Sequence, residues 1–276
     1  MTDRPQRPAR PQIVLEVLST RRLSPHLVRL VLGGDGFASF TPNAFTDRYV
    51  KIFFSPSGEE LHAPFDIAEL RATLPAERVP VTRTYTVREV NEAEGWLAID
   101  FVVHGDEGLA GPWAASAVPG DRVVLTGPGG GYAPDPTADW HLLVGDESAL
   151  PAIAAALEAL PDDAQGHAFV EVGGPEDEVP LTVPAGVELR WVHRGPAADG
   201  ARSLLADAVA AAPWRPGRVH AFVHGERESV KALRDVVLYQ RETARDQLSI
   251  SGYWARGRAE DRFQAEKREP IGQILP

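Results

Sequence analysis

The run Arg83-Thr84-Tyr85-Thr86 puts a cation, an aromatic hydroxyl and two short hydroxyls within one strand's length. On a strand alternate residues share a face, so Arg83 and Tyr85 point together while Thr84 and Thr86 point the other way. This set suits a flavin dinucleotide. A guanidinium fork matches a pyrophosphate, an aromatic body with a polar tip matches a planar ring, and a small hydroxyl can reach the ring's N5 edge. Four residues alone describe equally an edge strand with an exposed Arg and a packed Tyr, so the rest of the chain has to decide.

Three further segments have the composition of ligand loops. Gly145-Asp146-Glu147-Ser148-Ala149-Leu150-Pro151 runs from an apolar strand into an alanine-rich helix. Pro suits the first helical turn, Ser148 can cap, and free N–H groups at a helix start attract phosphate. His224-Gly225-Glu226 repeats that strand-to-helix placement, and Gly225 would let a ligand approach the backbone. His104-Gly105, followed by Asp106-Glu107 and the small-residue stretch Gly108 to Ala114, could lay a phosphate chain on backbone N–H groups, with Trp113 against a ring or anchoring the loop. Each segment reads just as well as an ordinary turn. No GxGxxG fingerprint, HExxH pair or Ser-His-Asp order is present, so a nicotinamide site would be of another type and hydrolase chemistry is disfavoured.

The elements that must position these groups fall into two halves. Apolar bursts at Ile13–Leu18, Leu27–Leu32, Tyr49–Phe54, Val79–Val90, Trp96–Val103 and Val123–Leu125, separated by Gly/Pro/Asp turns, predict an N-terminal antiparallel β-barrel or sandwich. Beyond Gly127-Pro128-Gly129-Gly130-Gly131 strand and helix patterns alternate. Strands are predicted at Trp140–Val144, Ala168–Val172, Glu188–Val192 and Val219–Val223, and helices at Ala149–Leu160, Ser203–Ala212 and Glu228–Tyr239. That is a C-terminal α/β domain with a parallel sheet. The charged tail after Gly257 reads as a surface helix or as disordered.

With 276 residues the chain is long enough for two cores. Its net charge of -11 disfavours nucleic-acid binding and docking on anionic membranes. The absence of cysteine excludes thiolate metal sites and thiol nucleophiles, so redox chemistry must come from an organic cofactor or a bound metal complex. The polar, Pro/Arg-rich start from Met1 to Pro11 carries no apolar targeting segment, and no run is long enough to span a membrane, which predicts a cytoplasmic protein.

Taken in order, Tyr49-Val50-Lys51, Arg83 to Arg88, His104-Gly105, Gly111-Pro112-Trp113-Ala114, Pro119-Gly120-Asp121, Gly145 to Pro151, Gly225-Glu226 and Gly252-Tyr253-Trp254 resemble the ferredoxin-reductase-like flavoproteins. Within them the nearer likeness is to the siderophore-interacting protein family, the FAD-dependent ferric-siderophore reductases. The likeness spans nearly the whole chain. It implies an FAD-binding barrel over residues 1–133 and an NAD(P)H-binding α/β domain with its tail over 134–276. It also implies that Arg83, Thr84, Tyr85 and Thr86 hold the FAD, with Thr86 near N5 and no protein acid or base. Val103, His104, Gly111, Pro112, Trp113 and Ala114 would line the rest of the FAD, and Tyr253 and Trp254 would cover the ring. Gly145, Asp146, Glu147, Ser148, Ala149, Gly225 and Glu226 would receive NADH or NADPH. The family pattern usually continues to a small hydroxyl after the tetrad, whereas Val87-Arg88-Glu89 offers none, and Arg88 either adds charge to the phosphate site or pairs with an acid.

The implied substrate is an anionic ferric siderophore of catecholate or hydroxamate type, docked by Lys51, Arg256 and Arg258, with no protein ligand to the metal. Glu171 to Glu178 holds acids and no Lys or Arg, which favours NADH over NADPH because a 2′-phosphate prefers a cation. A ferredoxin donor stays open. The competing readings are a flavin- or ferredoxin-type NAD(P)H oxidoreductase with another acceptor, and a non-catalytic siderophore carrier.

Overall fold

The structure, a computed structural model, describes residues 11–105, 108–195 and 203–275. The residues ahead of Pro11 and the pair Asp106-Glu107, both used in the sequence reading, lie outside them. Six strands, β1 (Ile13–Ser24), β2 (Leu27–Gly33), β3 (Tyr49–Phe54), β4 (Val81–Asn91), β5 (Trp96–Val102) and β6 (Arg122–Gly129), close into an antiparallel barrel in the order β1-β2-β5-β4-β3-β6. Inward residues such as Leu15, Leu30, Ile52, Leu97, Ile99 and Leu125 are fully buried, which is the alternation that period-2 patterning requires. β4 starts at Val81 rather than Val79, because Pro80 has no N–H to give to the ladder. Two short helices, α1 (Ile67–Thr73) and α2 (Ala110–Ser116), lie outside the barrel strands.

The second half is a five-stranded parallel sheet ordered β11-β10-β7-β8-β9. Its strands are β7 (Trp140–Asp146), β8 (Gln165–Val172), β9 (Gly186–His193), β10 (Val219–Glu226) and β11 (Leu248–Trp254). Helices α3 (Leu150–Ala159), α4 (Leu204–Ala211) and α5 (Arg227–Arg234) complete the α/β pattern, and a π-helical turn extends α5 over Asp235–Gln240. A parallel sheet covered on both faces must be apolar on both faces, and every residue of β7 is buried. Among the described residues no helix is long and apolar enough to cross a membrane.

The two halves are tied together. Leu27 and Tyr132 share a core with α3 and the sheet. The β1–β2 turn adds a polar tie, in which Ser24 Oγ (3.0 Å) and His26 Nδ1 (2.8 Å) bond the Asp177 carboxylate. Burial alone would raise the Asp177 carboxyl, but the bonds from His26 and Ser24 hold it below the usual range. Arg88 meets Glu158 of α3, so it pairs with an acid across the domain boundary.

The charged tail forms helix α6 (Glu260–Glu266), whose Phe263 and Glu266 are buried. Glu266 accepts from Arg227 Nη1 (2.6 Å), Arg258 Nε (2.9 Å) and Arg262 Nε (2.8 Å). Those bonds, Arg227 first, hold its carboxyl down to about 2 against the cost of burial. A carboxyl depressed from 4.5 contributes stability that is complete above its unfolded value and fades as pH falls towards 2. Protection factors over α6, taken against intrinsic amide exchange at each pH, should therefore fall between pH 4.5 and 2, and Glu266→Gln should show the loosened helix already at pH 7. Equal α6 protection in wild type and Glu266→Gln at neutral pH would contradict this.

Candidate functional site

A cleft of about 600 Å³ opens where the barrel, the carboxyl ends of the sheet strands and α6 converge. All four residues of the tetrad line it. β4 supplies the barrel wall. Tyr85 lies with its ring centroid 4.3 Å from Phe101, so part of its ring belongs to the barrel core while the rest faces the cleft. Burial, with the charge of Glu260 adding, pushes the Tyr85 phenol well up from its ordinary value and keeps it protonated. Arg83 lines the cleft, and its Nη1 donates to its neighbour's carbonyl, Thr82 O (2.8 Å), and reaches Asp261 Oδ2 at 3.4 Å. The alternation expected of the strand does not divide the tetrad into used and unused halves.

The opposite wall comes from the strand ends of the sheet, and a buried carboxylate fixes their arrangement. Asp146, 3% exposed, ends β7. Its Oδ1 accepts from Ser148 N (2.9 Å) and Ser148 Oγ (2.5 Å), and its Oδ2 accepts from Glu226 N (2.8 Å) and Trp254 Nε1 (2.8 Å). One side chain thus joins the ends of β7, β10 and β11. Gly225 sits at φ 146°, and a Cβ there would fall 2.8 Å from Asp146 Oδ2, so the knot demands glycine. Burial raises the Asp146 carboxyl, and the hydrogen bonds it accepts oppose that shift.

Among the residues expected to receive a nicotinamide cofactor, Glu147 and Ser148 line the cleft, whereas Gly145, Asp146, Ala149, Gly225 and Glu226 form the frame behind it. Ser148 does not cap α3: Ala149 holds that position with no side-chain bond, because the Ser148 hydroxyl is turned to Asp146. Glu226 caps α5 through Glu228 N and Ser229 N. Glu147 pairs with Arg194, which also donates to Glu171 at 3.0 Å. Glu171 begins the acidic segment from which NADH was favoured, so a cation from beyond β9 stands beside it, already shared by two carboxylates.

His104 lines the cleft with its ring 5.7 Å from that of His26. Val103, Gly111, Pro112, Trp113 and Ala114 do not line it. Trp113 packs edge-on to Phe54 and Phe101, so it anchors α2 on the barrel core. Tyr253 and Trp254 both line the cleft, with the indole fixed by Asp146 and the Tyr253 phenol pushed up by burial. Lys51 lines the cleft, whereas Arg256 and Arg258 do not, and Arg258 is engaged by Glu266.

Sequence reasoning passed over several lining residues. Glu260, Gln264 and Lys267 come from α6 and its C-terminal flank, and their spacing of four and three residues marks one helical face, flanked by the buried Phe263, over whose ring Lys267 Nζ lies at 4.8 Å. Lys267 is held below the usual lysine range by desolvation first, with the Lys51 charge also lowering it. His224, expected in a ligand loop but given no role of its own, forms part of the floor. It stacks on Phe222 (3.9 Å, 13°), is 5% exposed, and its Nδ1 has no hydrogen-bond partner. Burial drops its pKa to about 3, so the imidazole is neutral.

The Asp146 knot makes a quantitative test available. In Asp146→Asn one oxygen becomes an NH2 group facing two donors, so two hydrogen bonds are lost and buried N–H groups stand opposed. The variant should lose about 2–4 kcal/mol of stability, read as a lower urea midpoint, and should free the Trp254 indole, read as a change in its fluorescence. A midpoint within error of wild type would refute the knot.

This geometry has relatives. The sequence model of the siderophore-interacting FAD-binding domain matches residues 16–132, and that of the siderophore-interacting protein matches residues 138–257. An uncharacterised protein of Mycobacterium tuberculosis is 51% identical over 272 residues, covering 94% of this chain and 96% of its own. The ferric vibriobactin reductase ViuB of Vibrio cholerae is 36% identical over 259 residues, covering 92% of this chain and 93% of its own. Among solved structures, a siderophore utilization protein from T. fusca superposes with a TM-score of 0.79 at 36% identity, over 90% of this chain and 94% of that one. The siderophore-interacting protein SipS of Aeromonas hydrophila gives 0.79 at 30% identity, over 96% and 99%. A barrel carrying the tetrad, a sheet whose strand ends face it, and matches over both halves establish that the chain belongs to the siderophore-interacting protein family.

Proposed function

We propose that the protein is an FAD-dependent ferric-siderophore reductase that takes electrons from NAD(P)H and releases iron as Fe(II). The observation that carries this reading is the facing of the Arg83–Thr86 wall by Tyr253, Trp254 and His224 across one cleft. The donor set fits FAD. Arg83 offers a largely uncommitted guanidinium for a pyrophosphate, Thr84 and Thr86 offer hydroxyls, and Tyr85, Val102 and Tyr253 offer apolar surface for the ring. Gly131, also in the lining, has open space where a Cβ would stand, so a ligand can lie against its backbone. When bound, the flavin accepts two electrons as hydride from a nicotinamide and gives them singly to ferric iron.

The chain's own part is to hold, orient and shield. Trp254 is kept in place by Asp146, so the aromatic cover at the sheet side has a defined orientation. Lys51 and Lys267 give the cleft mouth positive charge in a protein of net charge -11, which focuses an anionic ferric complex on that edge. Reduction weakens the hold of hard oxygen donors on the iron, so electron transfer releases the metal without a protein ligand. One nicotinamide oxidised balances two Fe(III) reduced.

The donor is NADH rather than NADPH in this reading, because Glu171 to Glu178 holds no Lys or Arg and Arg194, the cation that stands beside it among the described residues, is already shared by Glu147 and Glu171. The Acinetobacter baumannii and Escherichia coli relatives are named ferric acinetobactin reductase and NADPH-dependent ferric-chelate reductase, and they support a reductase at this site.

The purified protein should be yellow, be bleached anaerobically by NADH faster than by NADPH, and regain its colour on addition of ferric siderophore while a ferrous chelator develops its complex. Arg83→Ala should lower FAD occupancy about tenfold or more through loss of a charge-assisted contact, measured by flavin absorbance per protein. Ferrous iron formation no faster than the protein-free control would sink the reductase reading and favour a carrier.

A further inference from the structure

A second cavity, about 750 Å³, lies on the outer surface of the barrel and shares Tyr49 and Lys51 with the cleft. Its floor is the outward face of β3, where Tyr49, Lys51 and Phe53 alternate with the inward Val50, Ile52 and Phe54. At about 3.3 Å per residue, Phe53 stands roughly 7 Å beyond Lys51 and away from Tyr49. Its far wall is Pro64, Phe65 and Ile67, ahead of and inside the start of α1. Phe65 meets Phe53 edge-on, with ring centroids 5.1 Å apart at 84°.

The wall is held open by its own bonds. Gln12 clamps the Phe65 backbone from both sides, Nε2 donating to Phe65 O (2.7 Å) and Oε1 accepting from Phe65 N (2.9 Å). The cavity's one acid, Asp66, is turned to cap α1, its Oδ1 accepting from Ala68 N (2.7 Å) and Glu69 N (3.4 Å). What remains is an aromatic angle with a single ammonium at its inner end, continuous with the cleft through Tyr49 and Lys51.

We infer that this cavity is a subsite for one aryl arm of the ferric complex, a catecholate or phenolate ring. The ring would enter the Phe53–Phe65 angle, and its metal-bound, negatively charged oxygens would lie towards Lys51. The inference rests on the reductase reading for the source of its ligand. Charge and shape select this occupant. A ferric tris(catecholate) carries three negative charges on planar rings, which match edge-to-face aromatic contact beside a cation. A ferric tris(hydroxamate) is neutral and presents aliphatic and amide surface, so it gains neither. The cavity therefore sets a preference for aryl siderophores, with the two lysines steering the complex and the phenylalanines choosing the ligand type.

The test uses the FAD-loaded full chain and redox-inert gallium. Binding of Ga(III) tris(2,3-dihydroxybenzoate) and of Ga(III) tris(acetohydroxamate) is measured by calorimetry for wild type, Phe65→Ala and Phe65→Asp. The ratio of catecholate to hydroxamate affinity should fall about three- to tenfold in Phe65→Ala and further in Phe65→Asp, where a like charge replaces the ring. A ratio unchanged in both variants overturns the subsite. Loss of bound FAD from the variants, seen in the flavin absorbance, also overturns it, because the cavity would then hold the cofactor's adenine. Gallium binding is independent of turnover, so a protein that binds the catecholate selectively but reduces no iron would retain the subsite and lose the reductase reading.

Discussion

The architecture of the cleft depends on one buried carboxylate with four donors. Asp146 brings the ends of three parallel strands to a single point, and each of its oxygens is saturated. Parallel strands diverge with the twist of the sheet, and loops at their carboxyl ends are otherwise free to splay. Here the β7 loop, the β10 loop and the Trp254 indole are referred to the same two oxygen atoms. A carboxylate costs several kcal/mol to bury, and it is tolerated because it accepts a full set of hydrogen bonds. The strand ends that face the barrel are consequently tied to one point.

Charge is distributed unevenly around this centre. The surplus of acids over bases repels anions at long range, yet the edge of the cleft carries Arg83, Lys51 and Lys267. The acids near the cleft are largely committed: Glu147 and Glu171 to Arg194, Asp100 to Arg29 through bonds of 2.6 and 2.8 Å, and Glu226 to the start of α5. Most of the neighbouring negative charges are thus spent on framework contacts, while Glu260 stays in the lining beside Lys267.

The sequence pattern made the two-part architecture legible, since periodicity changes from 2 to alternating strand and helix at the glycine-rich joint near Gly127. It also placed Arg83, Thr84, Tyr85 and Thr86 together, because four consecutive residues on one strand cannot be far apart. It could not distinguish a residue that lines the cleft from one that builds its frame. Asp146, Gly225 and Glu226 look like ligand-loop residues in sequence, and only the three-dimensional meeting of β7, β10 and β11 reveals that they bind one another. The tail was obscure for a related reason. Charge clusters such as Arg258, Arg262 and Glu266 suggest solvent exposure until Arg227, distant in sequence, is found to complete a buried ion-pair group.

The stacking of His224 on Phe222 bears on the charge of the cleft floor. With the imidazole neutral down to about pH 3, and the Tyr85 and Tyr253 phenols held protonated, three of the most conspicuous titratable groups around the cleft keep fixed protonation states across the neutral range. None of the three can act as a proton reservoir there. These three side chains therefore shape the cleft without changing charge there, and the titratable groups left in the lining, Lys267 among them, stand on the side of α6 and the barrel.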